Sequence, residues 1–190
     1  MDTKEQIRNT LVRLLEDHSC DDLSVKMLCK EAGISKQTLY NHYYCMMDAL
    51  EDAYKIGLAK ELENCDTYGS WVEGFRNFLY FLEKNRKVTL HIYFSSHRSE
   101  LIDLIDRFGR QLIGKGIDDC SNDIEVPVSD KDRKFMLNFY MHVFMGIIGD
   151  YLEDRMAESP DYIAGRCDAM MRYHIRTSLR NIHDMNKGIF

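Results

Sequence analysis

Proline is nearly missing from this chain of 190 residues: there are two, Pro127 and Pro160. No Asn-Gly dipeptide marks a tight hairpin. A sheet protein built from hairpins needs such turn chemistry, so both absences favour an all-α chain. Six cysteines occur, at 20, 29, 45, 65, 120 and 167, and no pair has the C-x-x-C spacing of a zinc site. No metal or other cofactor is therefore expected. A Ser-His-Asp pattern, a glycine-rich phosphate loop and an H-E-x-x-H helix are all missing, which argues against an enzyme. No apolar run reaches the ~20 residues that cross a bilayer. The uncharged stretch 135–149 is too short and contains Asn138 and His142. The opening MDTKEQIRNT does not read as a secretion signal, so a cytoplasmic location with reduced thiols is expected. Positive charge is also in deficit, with a net charge of −6. That excludes a broadly basic coat for nucleic acid and leaves room for a local basic patch.

Such a patch is present between Ser24 and Met47, where Lys26, Lys30 and Lys36 face a single acid, Glu31. The stretch reads as two short helices around a tight turn. Val25, Leu28, Cys29 and Ala32 share a face behind Ser24, an N-cap residue type. Gly33 suits the left-handed conformation that ends a helix. Ser35 then caps a second helix over 36–43. This is helix-turn-helix spacing, in which the second helix enters the DNA major groove. The candidate DNA-contacting residues are Ser24, Lys26, Ser35, Lys36, Gln37, Thr38, Tyr40, Asn41 and His42. Each carries a group that hydrogen-bonds base edges or phosphates. Few cations imply few phosphate contacts and a shallow salt dependence.

The residues Ser24-Val25-Lys26, Ala32-Gly33-Ile34-Ser35, Thr38-Leu39-Tyr40, His42-Tyr43 and Asp48-Ala49-Leu50 resemble the TetR family of one-component bacterial transcription regulators. The residue-by-residue resemblance covers about 5–54. It implies a helix-turn-helix domain over 1–50 and a helical effector-binding and dimerisation domain over 51–190. It also implies a homodimer on a palindromic duplex operator, modulated by a small-molecule effector or a protein partner. One position departs from the family pattern: Met46 stands where a lysine usually opens the fourth helix, which removes a phosphate contact. An alternative function follows, an interaction protein of the same fold that has lost tight DNA binding.

The remaining pattern is helical. Ile7, Leu11, Leu14 and Leu15 mark a first helix over 4–18, and a fourth starts near Met47 and joins head to body. Helices are expected over 70–85, 88–96 and 100–114, followed by a loop over 114–130. The uncharged 135–149 segment reads as a helix buried on all sides, with Gly146 and Gly149 allowing close approach of a partner subunit. A single last helix over 160–184 would pair with it across a two-fold axis. Candidate pocket residues in the body are Trp71, Phe75, Phe78, His91, Tyr93, Phe94, Phe108, Phe139 and His142, with His97 nearby in sequence. Their inner faces are expected to converge on a mostly apolar cavity. A second resemblance rests on Gln37-Thr38, Trp71, Phe78-Leu79, Phe81-Leu82 and Glu83-Lys84-Asn85-Arg86. It points to the branch that includes dihydroxyacetone-kinase regulators, some of which are activators that answer to a protein partner.

Overall fold

A computed structural model describes residues 2–62, 71–171 and 173–189; the side chains of 61, 62 and 71 fall outside that description, as does Cys65. Every regular element among the described residues is helical: α1 (Thr3–Asp17), α2 (Val25–Glu31), α3 (Lys36–Tyr40), α4 (Met46–Leu62), α5 (Trp71–Lys84), α6 (Arg86–Tyr93), α7 (Arg98–Asp123), α8 (Asp130–Glu153), α9 (Pro160–Met171) and α10 (His174–Asn186). The fold is all-α, the class that the scarcity of proline and turn dipeptides favours. Two compact units result, one of Met1–Glu61 with Phe81–Leu104, the other of Leu62–Tyr80 with Ile105–Phe190.

The first unit is built on α1, whose Ile7, Leu11, Leu14 and Leu15 are buried at helical spacing. Fully burying such side chains stabilises by ~1.5–3 kcal/mol each. Leu28 of α2 and Leu39 of α3 are completely buried, and Ala49, Leu50, Tyr54 and Leu58 of α4 join the core. Tyr54 packs edge-on against Phe81, with ring centroids 5.4 Å apart. Its hydroxyl shares a 2.9 Å hydrogen bond with Thr89, so two buried polar groups satisfy each other. Burial pushes the Tyr54 phenol above its ordinary range. On α6, His91 Nδ1 donates to the Leu15 carbonyl at 2.6 Å.

The second unit centres on α8. Its Met136, Tyr140, Met141, Phe144, Ile148, Tyr151 and Leu152 are buried. Phe78 stacks on Phe108 at 5.2 Å and lies 5.7 Å from Phe144. α7 approaches α8 closely at Gly109, where an added Cβ would come within 2.8 Å of the Phe144 ring. Ile117, Cys120, Met136, Tyr140 and Leu179 form a further cluster. Beside it, Arg133 donates twice to the Asp118 carboxylate, both at 2.6 Å.

Several boundaries differ from the sequence-based expectation. The stretch after Gly114 is not a loop, because α7 runs on to Asp123. Ile117 and Cys120, three apart and both fully buried, repay the poor helix propensity of Gly114 and Gly116. Ser121 Oγ then donates to the Val126 carbonyl at 2.6 Å and shapes the following turn. α8 starts at Asp130 behind a Ser129 cap, not at Phe135. The last helix is two, since Tyr173 adopts φ 65° between α9 and α10. Within one chain α8 is not covered on all sides: Phe135, Phe139 and Val143 are exposed.

Candidate nucleic-acid interface and ligand cavities

The turn between α2 and α3 is held by its serines. Ser24 Oγ accepts from the Met27 amide at 3.2 Å, and Ser35 Oγ accepts from the Thr38 amide at 3.0 Å. Ser35 also shares a 2.8 Å hydrogen bond with the Thr38 hydroxyl. Gly33 takes φ 62°, a conformation that costs a side-chain-bearing residue but not glycine. From α1, Gln6 Nε2 donates to the Ala32 carbonyl at 2.7 Å and satisfies one orphan acceptor at the end of α2.

α3 has only five residues, too few to persist alone. Leu39 anchors its inner side, while Lys36, Gln37, Tyr40 and Asn41 are exposed and Thr38 and His42 are half-buried. Gln37 Nε2 donates to Asn41 Oδ1 at 3.0 Å, which fixes one orientation of that pair. Lys26 on α2 is exposed too. The nine residues expected to touch DNA thus lie on α2, α3, their caps and, for His42, the residue just after, but Ser24 and Ser35 are engaged in capping.

Beyond α3 the chain is pinned from two sides. Tyr43 is buried and donates to Asp52 Oδ2 at 2.7 Å. Arg8 Nη1 reaches the same oxygen at 2.9 Å and the Tyr43 hydroxyl at 3.2 Å. The Tyr43 hydrogen bond, aided by Arg8, holds the Asp52 carboxyl below its ordinary range. Asp48 Oδ2 accepts from the backbone amides of Tyr44 and Cys45, at 3.0 and 3.3 Å, and caps α4. Tyr44 lies between these two anchors and is 89% exposed. Sequence reading overlooked Tyr44 and the Arg8–Tyr43–Asp52 clasp. The clasp joins residues 35 and 44 positions apart, beyond any helical period.

Within the second unit, the pocket candidates whose side chains are described do not meet at one site. An apolar cavity of ≈ 60 Å³ in the second unit is lined by Phe75, Leu112, Tyr140, Phe144, Cys167 and Met171, among others. Of the expected residues whose side chains are described, Phe75 alone lines it. Phe78 and Phe108 are consumed by stacking with each other. Phe139 is exposed and stacks on His174 at 6.3 Å, and His142 is exposed with Nδ1 2.7 Å from the Asn138 carbonyl. His91, Tyr93, Phe94 and His97 belong to the first unit. The Trp71 side chain lies outside the described set. Among the described residues, no three His, Cys, Asp or Glu side chains are grouped to hold a metal. No described helix is long and apolar enough to cross a membrane.

A serine-capped helix-turn-helix in one unit and a helical bundle in the other are the parts of a transcription regulator. Residues 69–173 match the family model described as "Transcriptional regulator C-terminal region", a TetR C-terminal model, and this is more than half the chain. The chain belongs to the TetR family of transcriptional regulators. Among solved structures it is similar in fold to the "Dihydroxyacetone kinase operon activator DhaS", with a TM-score of 0.56 at 17% identity over 99% of this chain and 97% of that one. No curated protein matches the sequence significantly.

Proposed function

We propose that the protein binds a palindromic DNA operator as a homodimer in the cytoplasm, and that a small ligand or a protein partner modulates that binding. Residues 1–50 act as the DNA-binding domain, and 51–190 carry effector response and dimerisation. One observation carries this reading: the five-residue α3 is fixed by Leu39 and the Ser35 cap, yet presents Lys36, Gln37, Tyr40 and Asn41 to solvent. Side chains of this chemistry on a rigid helix start suit base edges and phosphates. Dimerisation is supported by the exposed stripe of Phe135, Phe139, Val143 and Gly146 on α8, at helical spacing, with Tyr162, Gly165 and Met170 of α9 also exposed. Fluorescence anisotropy on the duplex upstream of the gene tests the proposal. Saturable binding of two chains per site, weakened by unlabelled operator more than by random duplex, is expected. Equal competition by both duplexes defeats operator recognition and favours the alternative, an interaction protein of this fold without tight DNA binding.

A further inference from the structure

An opening larger than the apolar cavity of the second unit lies in the first unit. It is a cleft of ≈ 420 Å³, within the size range of small-molecule sites. Its walls are mostly apolar: Met46, Met47 and Leu50 of α4, Ile92 of α6, and Leu101 and Leu104 of α7. Met46 is the residue that replaces the usual lysine. Here it is half-buried in the cleft wall, where a flexible, polarisable thioether adapts to varied apolar shapes.

Three carboxylates line this cleft, together with His97, which pairs with one of them. Asp48 and Glu51 sit one turn apart on α4, and Glu100 opens α7; no described lysine or arginine lines the cleft. Each carboxylate already has partners. Asp48 caps α4 through Oδ2, Glu51 meets Lys55 Nζ at 2.6 Å, and Glu100 engages His97 and Ser99. No lysine or arginine among the described residues lines the cleft beside them, and a carboxylate has room for about four hydrogen bonds. The Cys20 thiol, 3.8 Å from Met47 Sδ, is pushed up to about 11, first by burial and then by the charges of Asp21 and Glu100.

We infer that this cleft is a binding site for an organic ammonium ion with an apolar, ring-sized body. The apolar walls take the body and the carboxylates take the cation. Val25, the first residue of α2, and Cys45, which precedes α4, also line the cleft. An occupant therefore touches the start of α2 and the segment that follows α3, so it acts as an effector by favouring one placement of α3. That effector role rests on the proposed DNA binding; occupancy of the cleft does not.

Calorimetry on the full chain without DNA tests occupancy. Three probes share one skeleton: 2-(1-naphthyl)ethylammonium, the neutral 2-(1-naphthyl)ethanol and the anionic 1-naphthylacetate. The ammonium should bind one per chain, about tenfold more tightly than the alcohol, with the acetate weakest. Glu100→Gln should remove about that tenfold preference, and Leu104→Trp, which fills the cleft, should abolish binding; circular dichroism melts confirm folding. Equal binding of ammonium and alcohol overturns the assignment, as does ammonium binding that both folded variants leave unchanged. With operator duplex present, the ammonium should shift affinity several-fold. An unmoved affinity at saturating ammonium refutes the effector role. A chain that binds no duplex at all instead defeats the DNA reading and leaves the calorimetric result intact.

Discussion

The outward side of α3 is polar, and the outward side of α8 is aromatic and aliphatic. Both helices are anchored by one buried face, through Leu39 in α3 and through Met136, Tyr140, Phe144 and Ile148 in α8. The difference lies in what the second face offers. Lys36, Gln37, Tyr40 and Asn41 have groups that pair with a polar, negatively charged surface. Phe135, Phe139 and Val143 gain most by leaving water against another apolar surface. Cavities follow a similar division: the first unit holds the wide cleft with carboxylates in its mostly apolar wall, and the second holds a small one without a charged lining residue. Inner faces keep each unit folded, and outer faces select partners. The following substitutions separate those two roles.

The largest effect is expected from the inner face of α3. Leu39→Ala should cost ~2–5 kcal/mol, because a completely buried leucine leaves a cavity behind. Denaturant unfolding should show the loss, and duplex binding should fall with it. A loss below half a kcal/mol would mean that α3 does not depend on its anchor.

On the outer face of α8, a Cβ added at Gly146 meets nothing within 4 Å in the single chain, so Gly146→Leu should hardly move chain stability. The same substitution at a close subunit contact should cost association ~1–3 kcal/mol by overpacking. Sedimentation should show monomers that melt normally. A dimer of unaltered affinity would place Gly146 outside the interface.

Outer-face changes on α3 should spare stability as well. Tyr40→Phe and Lys36→Ala should each weaken operator binding, by ~1–3 kcal/mol where a base-edge contact is lost. Unchanged anisotropy titrations for both would remove α3 from the DNA interface.

The smallest effect concerns the clasp. Asp52→Asn should cost ~1 kcal/mol near neutral pH, since the pair is part-exposed and partly screened. Asp52 titrates below its unfolded value, so the clasp contributes fully above the ordinary aspartate pKa near ~3.9. That contribution fades as pH falls through the lower folded value. Wild-type and variant stabilities measured from pH 7 down to pH 2 should therefore converge at the acid end. A constant gap would detach Asp52 from the effect.

The sequence by itself determined the elements whose causes are local. Ser24, Gly33 and Ser35 place the caps and the turn because each acts within about four residues. The apolar spacing of Ile7, Leu11, Leu14 and Leu15 predicts α1 to within a residue at either end. Two prolines, no Asn-Gly and apolar residues at helical spacing pointed to the all-α class. Tertiary structure decided what depends on distant partners. Gly114 and Gly116 are helical because Ile117 and Cys120 find a core, which no local propensity signals. Phe78 and Phe108 stack rather than line a cavity, and Phe139 faces outward, because an aromatic at helical spacing says which face it is on but not what that face meets. Met46 is a departure from a pattern in the sequence and becomes the wall of a cleft only when α6 and the start of α7 pack beside α4. Short-range hydrogen bonds and periodicity are written along the chain, whereas burial and cavities are properties of which faces come together.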